Sequence, residues 1–193
     1  MYFTKAALVL SFAASALALP TSATAPHQKR AAVLKQQSYA QFQVSDGVGG
    51  KASPKSKPSS PYVPHHPHPQ LTSIANPPQI DEKNLAAVDP ADVDIINSAR
   101  QTAEAAETDA GGFNDAIAAA GKDSAAGTAL QVGKIKNKVL KLKLEVLALQ
   151  IDQAQGGKDN QAKIDEEQTK LDNNIKLDQG AAGDKSQSVD FQG

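Results

Sequence analysis

Three groups of side chains have the types and spacing that chemistry asks for. His65, His66 and His68 fall within four residues, and imidazole nitrogens that close together suit zinc or copper. No Cys, Asp or Glu lies beside them to complete a ligand set. A His-rich tract among prolines also serves simply as polar linker, so these three are weak metal candidates and no metal site is assigned. The second group is paired carboxylates, Glu166 with Glu167 and Asp92 with Asp94, the residue types of a general acid and its base. Neighbouring acids on an exposed helix are ordinarily just solvated, and no catalytic residue is assigned. The third is Lys29-Arg30, a dibasic pair of the kind that kexin-type proteases of the secretory route cut. That is chemistry done to the chain rather than by it.

What is missing narrows the field further. From Ile80 onward the chain has no His, Cys, Trp, Tyr or Met. A serine nucleophile there has no histidine base, and no glycine-rich loop follows a strand to cradle phosphate. Cysteine is absent throughout, which excludes disulfides and thiol chemistry and leaves packing to hold the fold. A formal net charge of −1 gives no global field toward nucleic acid or an anionic membrane. The reading is of a non-enzymatic protein with no cofactor.

The element that must position everything else is Ala129 to Gln155. Val132, Ile135, Val139, Leu142, Val146 and Leu149 alternate spacings of three and four, as the a and d positions of a heptad do. Leu140, Leu144, Leu147 and Ile151 repeat that spacing on a second line, ~150° away around a helix of ~100° per residue. Lys134, Lys138, Lys141 and Glu145 fill one gap between the lines, Lys136 and Lys143 the other. Such a helix needs neighbours on both sides. The fold predicted is all-α: a small bundle of three to four helices around a central helix spanning about 124–155, with 80–180 as the bundle.

The rest of the chain follows in order. Met1 to Ala18 reads as a secretory signal: Lys5, then an apolar run too short to span a bilayer comfortably, then Ala16-Leu17-Ala18 as a small-x-small cleavage site. Residues 19–30 read as a pro-segment ending in Lys29-Arg30, so Ala18, Lys29 and Arg30 are processing residues. Residues 31–50 form an arm or short helix, with Tyr39 and Phe42 as docking residues. Residues 51–79 hold eight of the eleven prolines, a density that forbids helix interiors and sheet ladders and predicts a disordered, solvated linker.

Asp89-Pro90 starts a helix with a cap and a first-position proline. Its inner line is Ile96, Ala99, Ala103, Ala106 and Ala110, and it ends at Gly111-Gly112. Phe113 to Ala120 is a short second helix. Asp123 or Ser124 caps the central helix, and Gly127 and Gly133 predict a fray or bend in its first half. Asp159 or Asn160 starts a last helix with Ala162, Ile164, Gln168, Leu171 and Ile175 inward. Residues 181–193 read as a flexible tail, with Phe191 tucked back. Asp81 to Asp115 is acidic and Lys122 to Lys143 basic, so the two stretches are expected to face each other. No aromatic is interleaved in the basic stretch, which leaves nucleic-acid recognition without a platform.

Taken together, the signal, the Lys-Arg pair, SYAQFQVSDGVGG, IDEKNLAAVDPADVDII, LQVGKIKNKVLKLKLEVLALQ and the closing SQSVDFQG resemble a group of small secreted proteins of filamentous fungi. The resemblance covers the chain from residue 31 except for 51–79. It implies an extracellular, cysteine-free helical protein and carries over no activity and no functional residues. The 51–79 segment departs from the group, and its abrupt composition change has two readings: a genuine linker or translated intron. Three roles are open: a protein of the cell wall, cell surface or medium; a binder of lipid or hydrophobic surfaces; and a coiled-coil oligomer. The corresponding partners are a cell-wall polymer, a host protein, a lipid or a second copy of the chain. Nucleic acid and a transmembrane segment are not expected.

Overall fold

The structure, a computed structural model, describes residues 30–52 and 80–192. Ala18, Lys29, His65, His66 and His68 lie outside the described residues.

The architecture is the predicted all-α bundle. Helix α2 (Pro90–Thr108), α3 (Phe113–Ala120) and α5 (Gln161–Gly180) pack around the long α4 (Ala125–Ala154). A one-turn helix α1 (Tyr39–Phe42) lies in the N-terminal arm. Two-residue strands β1 (Gly47–Val48) and β2 (Lys185–Ser186) pair antiparallel, Gly47 opposite Ser186 and Val48 opposite Lys185.

The helix limits follow from local chemistry. The Asp89 carboxylate accepts from the Ala91 amide at 2.9 Å with Pro90 in the first helical position, which starts α2. The Ser124 hydroxyl accepts from the Gly127 amide at 2.9 Å and starts α4. Gly156, at φ +83°, turns the chain after it. At the head of α5 the Asn160 amide donates to Gln153 Oε1 at 2.9 Å and its side chain to Asp152 Oδ2 at 2.7 Å, so the end of α4 holds the start of α5.

The two apolar lines of α4 lead into two clusters. Leu140, Leu144, Leu147 and Ile151 pack with Ile96, Ala99, Ala103 and Ala106 of α2, with Phe113 of α3, and with Leu34, Tyr39 and Phe42 of the arm. Val139 and Leu142 pack with Leu171 and Ile175 of α5 and with Ala52. The acidic and basic stretches do face each other: Glu107 pairs with Lys138 at 3.1 Å and Lys134 at 3.6 Å, and Glu104 with Lys141 at 3.8 Å. As residue numbers rise along α2 they fall along α4, so the helices run antiparallel.

Several expectations need correction. α4 runs unbroken through Gly127 and Gly133. These glycines permit close approach: a Cβ at 127 would strike the Gly121 carbonyl, and one at 133 the Gln187 carbonyl. The closing residues are seated rather than loose, because β2 pairs with β1 and the Gln187 amide donates to the Ala129 carbonyl at 3.0 Å. Phe191 tucks back as expected, edge-to-face with Tyr39 at 5.9 Å. Ala110 and Ala162 are exposed, Ala110 because α2 ends at Thr108 and Ala162 because it lies in the first turn of α5, off the line through Ile164.

Candidate functional site

The interior holds more charge than its apolar lines suggest, and most of it is directed at one target, the backbone of the arm. Asp92 is only 2 % exposed. Its carboxylate accepts from the Val33 amide at 3.0 and 3.1 Å and from the Leu34 amide at 2.8 Å. Asp178, equally buried, accepts from the Gly50 amide and the Ala52 amide, both at 2.9 Å. Lys136, 2 % exposed, donates to the carbonyls of Asp46 at 2.5 Å and Val48 at 3.1 Å. A carboxylate accepting backbone N–H bonds, and an ammonium donating to carbonyls, make charge-assisted bonds of the stronger class. Between these clamps Tyr39 donates its hydroxyl to Asn137 Oδ1 at 2.9 Å, and Asn137 donates in turn to the Ala103 carbonyl at 2.7 Å. The Ser186 hydroxyl donates to the Ser45 carbonyl, so arm and tail together form a strap across the bundle.

Burial leaves its mark on proton affinity. Desolvation pushes the Tyr39 phenol up to about 12, the nearby Ser45 and Ser188 hydroxyls offsetting only part of that rise. Burial lowers Lys136, with Asp178 and Asp46 opposing it, and lowers Lys143, with Glu82 opposing it.

The paired carboxylates separate in space. Asp94 is exposed while Asp92 is buried and bonded to backbone, because two residues along a helix turn ~200° around its axis. Glu166 lies in solvent, and hydrogen bonding from Lys170 with the charge of Lys163 lowers its pKa. Burial of Glu167 works to raise its pKa, but hydrogen bonds from Lys163 at 2.5 Å and Lys170 at 3.0 Å outweigh that, and the net shift is downward. Both glutamates are therefore held ionised at neutral pH, the wrong state for a general acid. Among the described residues no three His, Cys, Asp or Glu side chains come together as a metal site. No described helix is long and apolar enough to cross a membrane.

Arg30, assigned to the pro-segment, is docked. Its amide donates to the Ala87 carbonyl at 2.8 Å and its guanidinium pairs with Asp81 at 3.0 Å. A separate groove opens on α4 between α3 and α5, with Ile117, Ile135 and Leu177 among its lining residues and Lys122, Lys134 and Lys138 bordering it.

The unit that these contacts define begins with the arm near Val33, runs through the bundle and closes with the tail near Phe191. A family described as a domain of unknown function, DUF8454, matches residues 34–190, the same extent. The chain belongs to the DUF8454 family. No curated protein and no solved structure matches it. The DUF8454 match includes arm and tail as well as helices, in keeping with the strap as part of the fold.

Sequence reasoning missed Asp92, Lys136, Asn137 and Asp178 as interior residues, although a signal was present. Asp92 continues the three-and-four spacing of Ile96, Ala99 and Ala103. Asp178 follows Ile164 and Leu171 at sevens. Asn137 and Gly133 extend the Leu140 line toward Leu130. A polar residue on a buried register announces a hydrogen-bonding partner elsewhere.

Proposed function

We propose that this is a non-enzymatic protein exported by a filamentous fungus, one of its small secreted proteins, held at the cell wall or surface or released to the medium. The leader Met1–Ala18 and the Lys29-Arg30 pair support export. One observation carries the non-enzymatic reading. The interior ionisable groups Asp92, Lys136 and Asp178 are all bonded to the backbone of the arm, and Glu167 is bonded to two lysines. These bonds occupy each of the four groups. Self-association through a bare apolar line of α4 gains no support, since α2, the arm and α5 cover both lines except at the half-buried Ile135 and Leu149.

Mass analysis of culture fluid and of a wall fraction tests the reading. An exported protein beginning at Ala31, with no turnover of ester, glycoside or peptide substrates, is the expected result. A cytoplasmic protein that keeps its first residues would overturn it. So would hydrolysis that disappears on changing one side chain. The same spectra decide the linker: a peptide covering His65 to His68 makes 51–79 genuine, and its absence from otherwise complete coverage makes it intron.

A second reading, binding of an amphiphile, is favoured by one specific feature, the open groove over α4.

A further inference from the structure

The groove between α3 and α5 has a volume of about 390 Å³. It lies where α5 no longer covers α4. Ile135, on the same line of α4 as Val139 and Leu142, is only half-buried there, whereas those two are fully covered by α5. Leu177 is 56 % exposed, and the only other large apolar side chain so exposed among the described residues is Val33. Ile117 of α3 forms the facing apolar wall. Asn114, Gln131 and Asn174 complete the lining, and the three apolar side chains among them gain free energy when something takes them out of water.

The charge of the border is one-sided. Lys122, Lys134 and Lys138 line the groove and no carboxylate does. Glu107 reaches Lys138 at 3.1 Å and Lys134 at 3.6 Å from the α2 side, one carboxylate for two ammonium groups. Lys134 also donates to Asn114 Oδ1 at 2.6 Å. Lys122 makes no ion pair among the described residues. Three cations against one shared anion leave a local excess of two positive charges.

Apolar floor, cationic border and size together select an occupant. A bare anion would make no use of Ile117, Ile135 and Leu177. A neutral apolar molecule would make no use of the lysines. The volume lies at the small end of the roughly 300–1,000 Å³ of ligand pockets, room for one hydrocarbon chain rather than two. We propose that this groove binds a fatty acid, its carboxylate among Lys122, Lys134 and Lys138 and its chain along Ile117, Ile135 and Leu177. The proposal names the ligand class for the amphiphile reading of this groove and rests on that reading; it does not rest on the non-enzymatic one.

Dodecanoate below its micellar concentration is the probe, with dodecyl maltoside as the same chain on a neutral head and acetate as the head without a chain. The isotope-labelled protein is followed by amide chemical shifts. Dodecanoate should give saturable shifts at Ile117, Gln131, Ile135 and Leu177. Acetate should give none, and the maltoside should bind at least about threefold more weakly, the scale of a partly exposed charge pair. Lys122→Gln should weaken dodecanoate about threefold and Leu177→Ser about fivefold. Both positions are exposed, so melting temperature should hold.

Absence of saturable shifts overturns the proposal. So do equal binding of the maltoside, shifts confined to other surfaces, or indifference to both substitutions. Binding to vesicles of anionic phospholipid without binding of dodecanoate would make the groove a membrane contact and refute the proposal. Groove shifts that appear on concentrating the protein alone would put a second copy there and refute it equally. None of these failures touches the non-enzymatic reading, which the turnover assays decide.

Discussion

Replacing Tyr39 by Phe tests the centre of the strap at two pH values with opposite expectations. At neutral pH the variant loses the bond from the phenol to Asn137 Oδ1 and leaves that buried carbonyl oxygen without the donor it had. An unsatisfied buried acceptor costs about 1–3 kcal/mol, while the edge-to-face contacts with Phe42 at 5.6 Å and Phe191 at 5.9 Å survive. In alkali the ranking changes. The phenol of the unfolded chain ionises near 10, that of the fold only near 12. The folded pKa is raised, so this contribution is fully present below pH 10 and is lost as pH climbs from about 10 to about 12. Two pH units at ~1.4 kcal/mol each amount to about 3 kcal/mol. Wild type should therefore exceed Tyr39→Phe by about 1–3 kcal/mol at pH 8, and the gap should close by pH 12. Urea unfolding of both proteins at intervals across that range measures the gap, and effects of the lysines cancel in the difference. Ultraviolet difference spectra of the two proteins report the Tyr39 ionisation directly. A gap that stays constant from pH 9 to 12, or a phenol that ionises near 10, refutes the burial argument.

Three further outcomes follow from the same contacts. Asp92→Ala strips the acceptor from the amides of Val33 and Leu34. Two unsatisfied amides at about 1–3 kcal/mol each should cost about 2–6 kcal/mol and open the arm to limited proteolysis between residues 31 and 38, while unchanged protection would show the clamp to be idle. Gly133→Ala drives a Cβ into the Gln187 carbonyl and against Phe113; a loss of about 1–3 kcal/mol should come with faster amide exchange at Ser186 and Gln187. Lys136→Met leaves the carbonyls of Asp46 and Val48 without their donor. Because burial lowers the folded pKa of Lys136, wild-type stability should gain from this residue as pH rises from the lowered value to the ordinary lysine value, and that rise should vanish in the variant. Chemical denaturation between pH 7 and 10 measures it.

The parts of the fold that were legible are those whose causes are local. Asp89 and Ser124 lie two and three residues from the amides they cap, and the apolar lines of α4 repeat within a single helix. The strap was not legible because its partners are remote. Asp92 meets Leu34 across 58 residues, Lys136 meets Asp46 across 90, Tyr39 meets Asn137 across 98 and Asp178 meets Gly50 across 128. Spacing arguments reach one or two helical turns. A lysine in a gap between two apolar lines looks like a solvated one until the segment crossing it is known. Gly133 misled for the same reason: read alone it is a weak helix former, and only the approach of Gln187 reveals its use. The groove was partly legible, since Ile135, Lys134 and Lys138 were placed on α4 correctly, but where α5 stops covering them depends on how the antiparallel pair is registered.

The pairing of β1 with β2 and the edge-to-face contact of Tyr39 with Phe191 give the molecule a buckle. A chain halted before Lys185 has every helix of the described residues and the clamp from Asp178 to Gly50 and Ala52, but it lacks the strand that faces Gly47 and Val48. Once that strand arrives, lifting Gly47 and Val48 off the bundle means also breaking the pairs that hold Ser186 and Lys185.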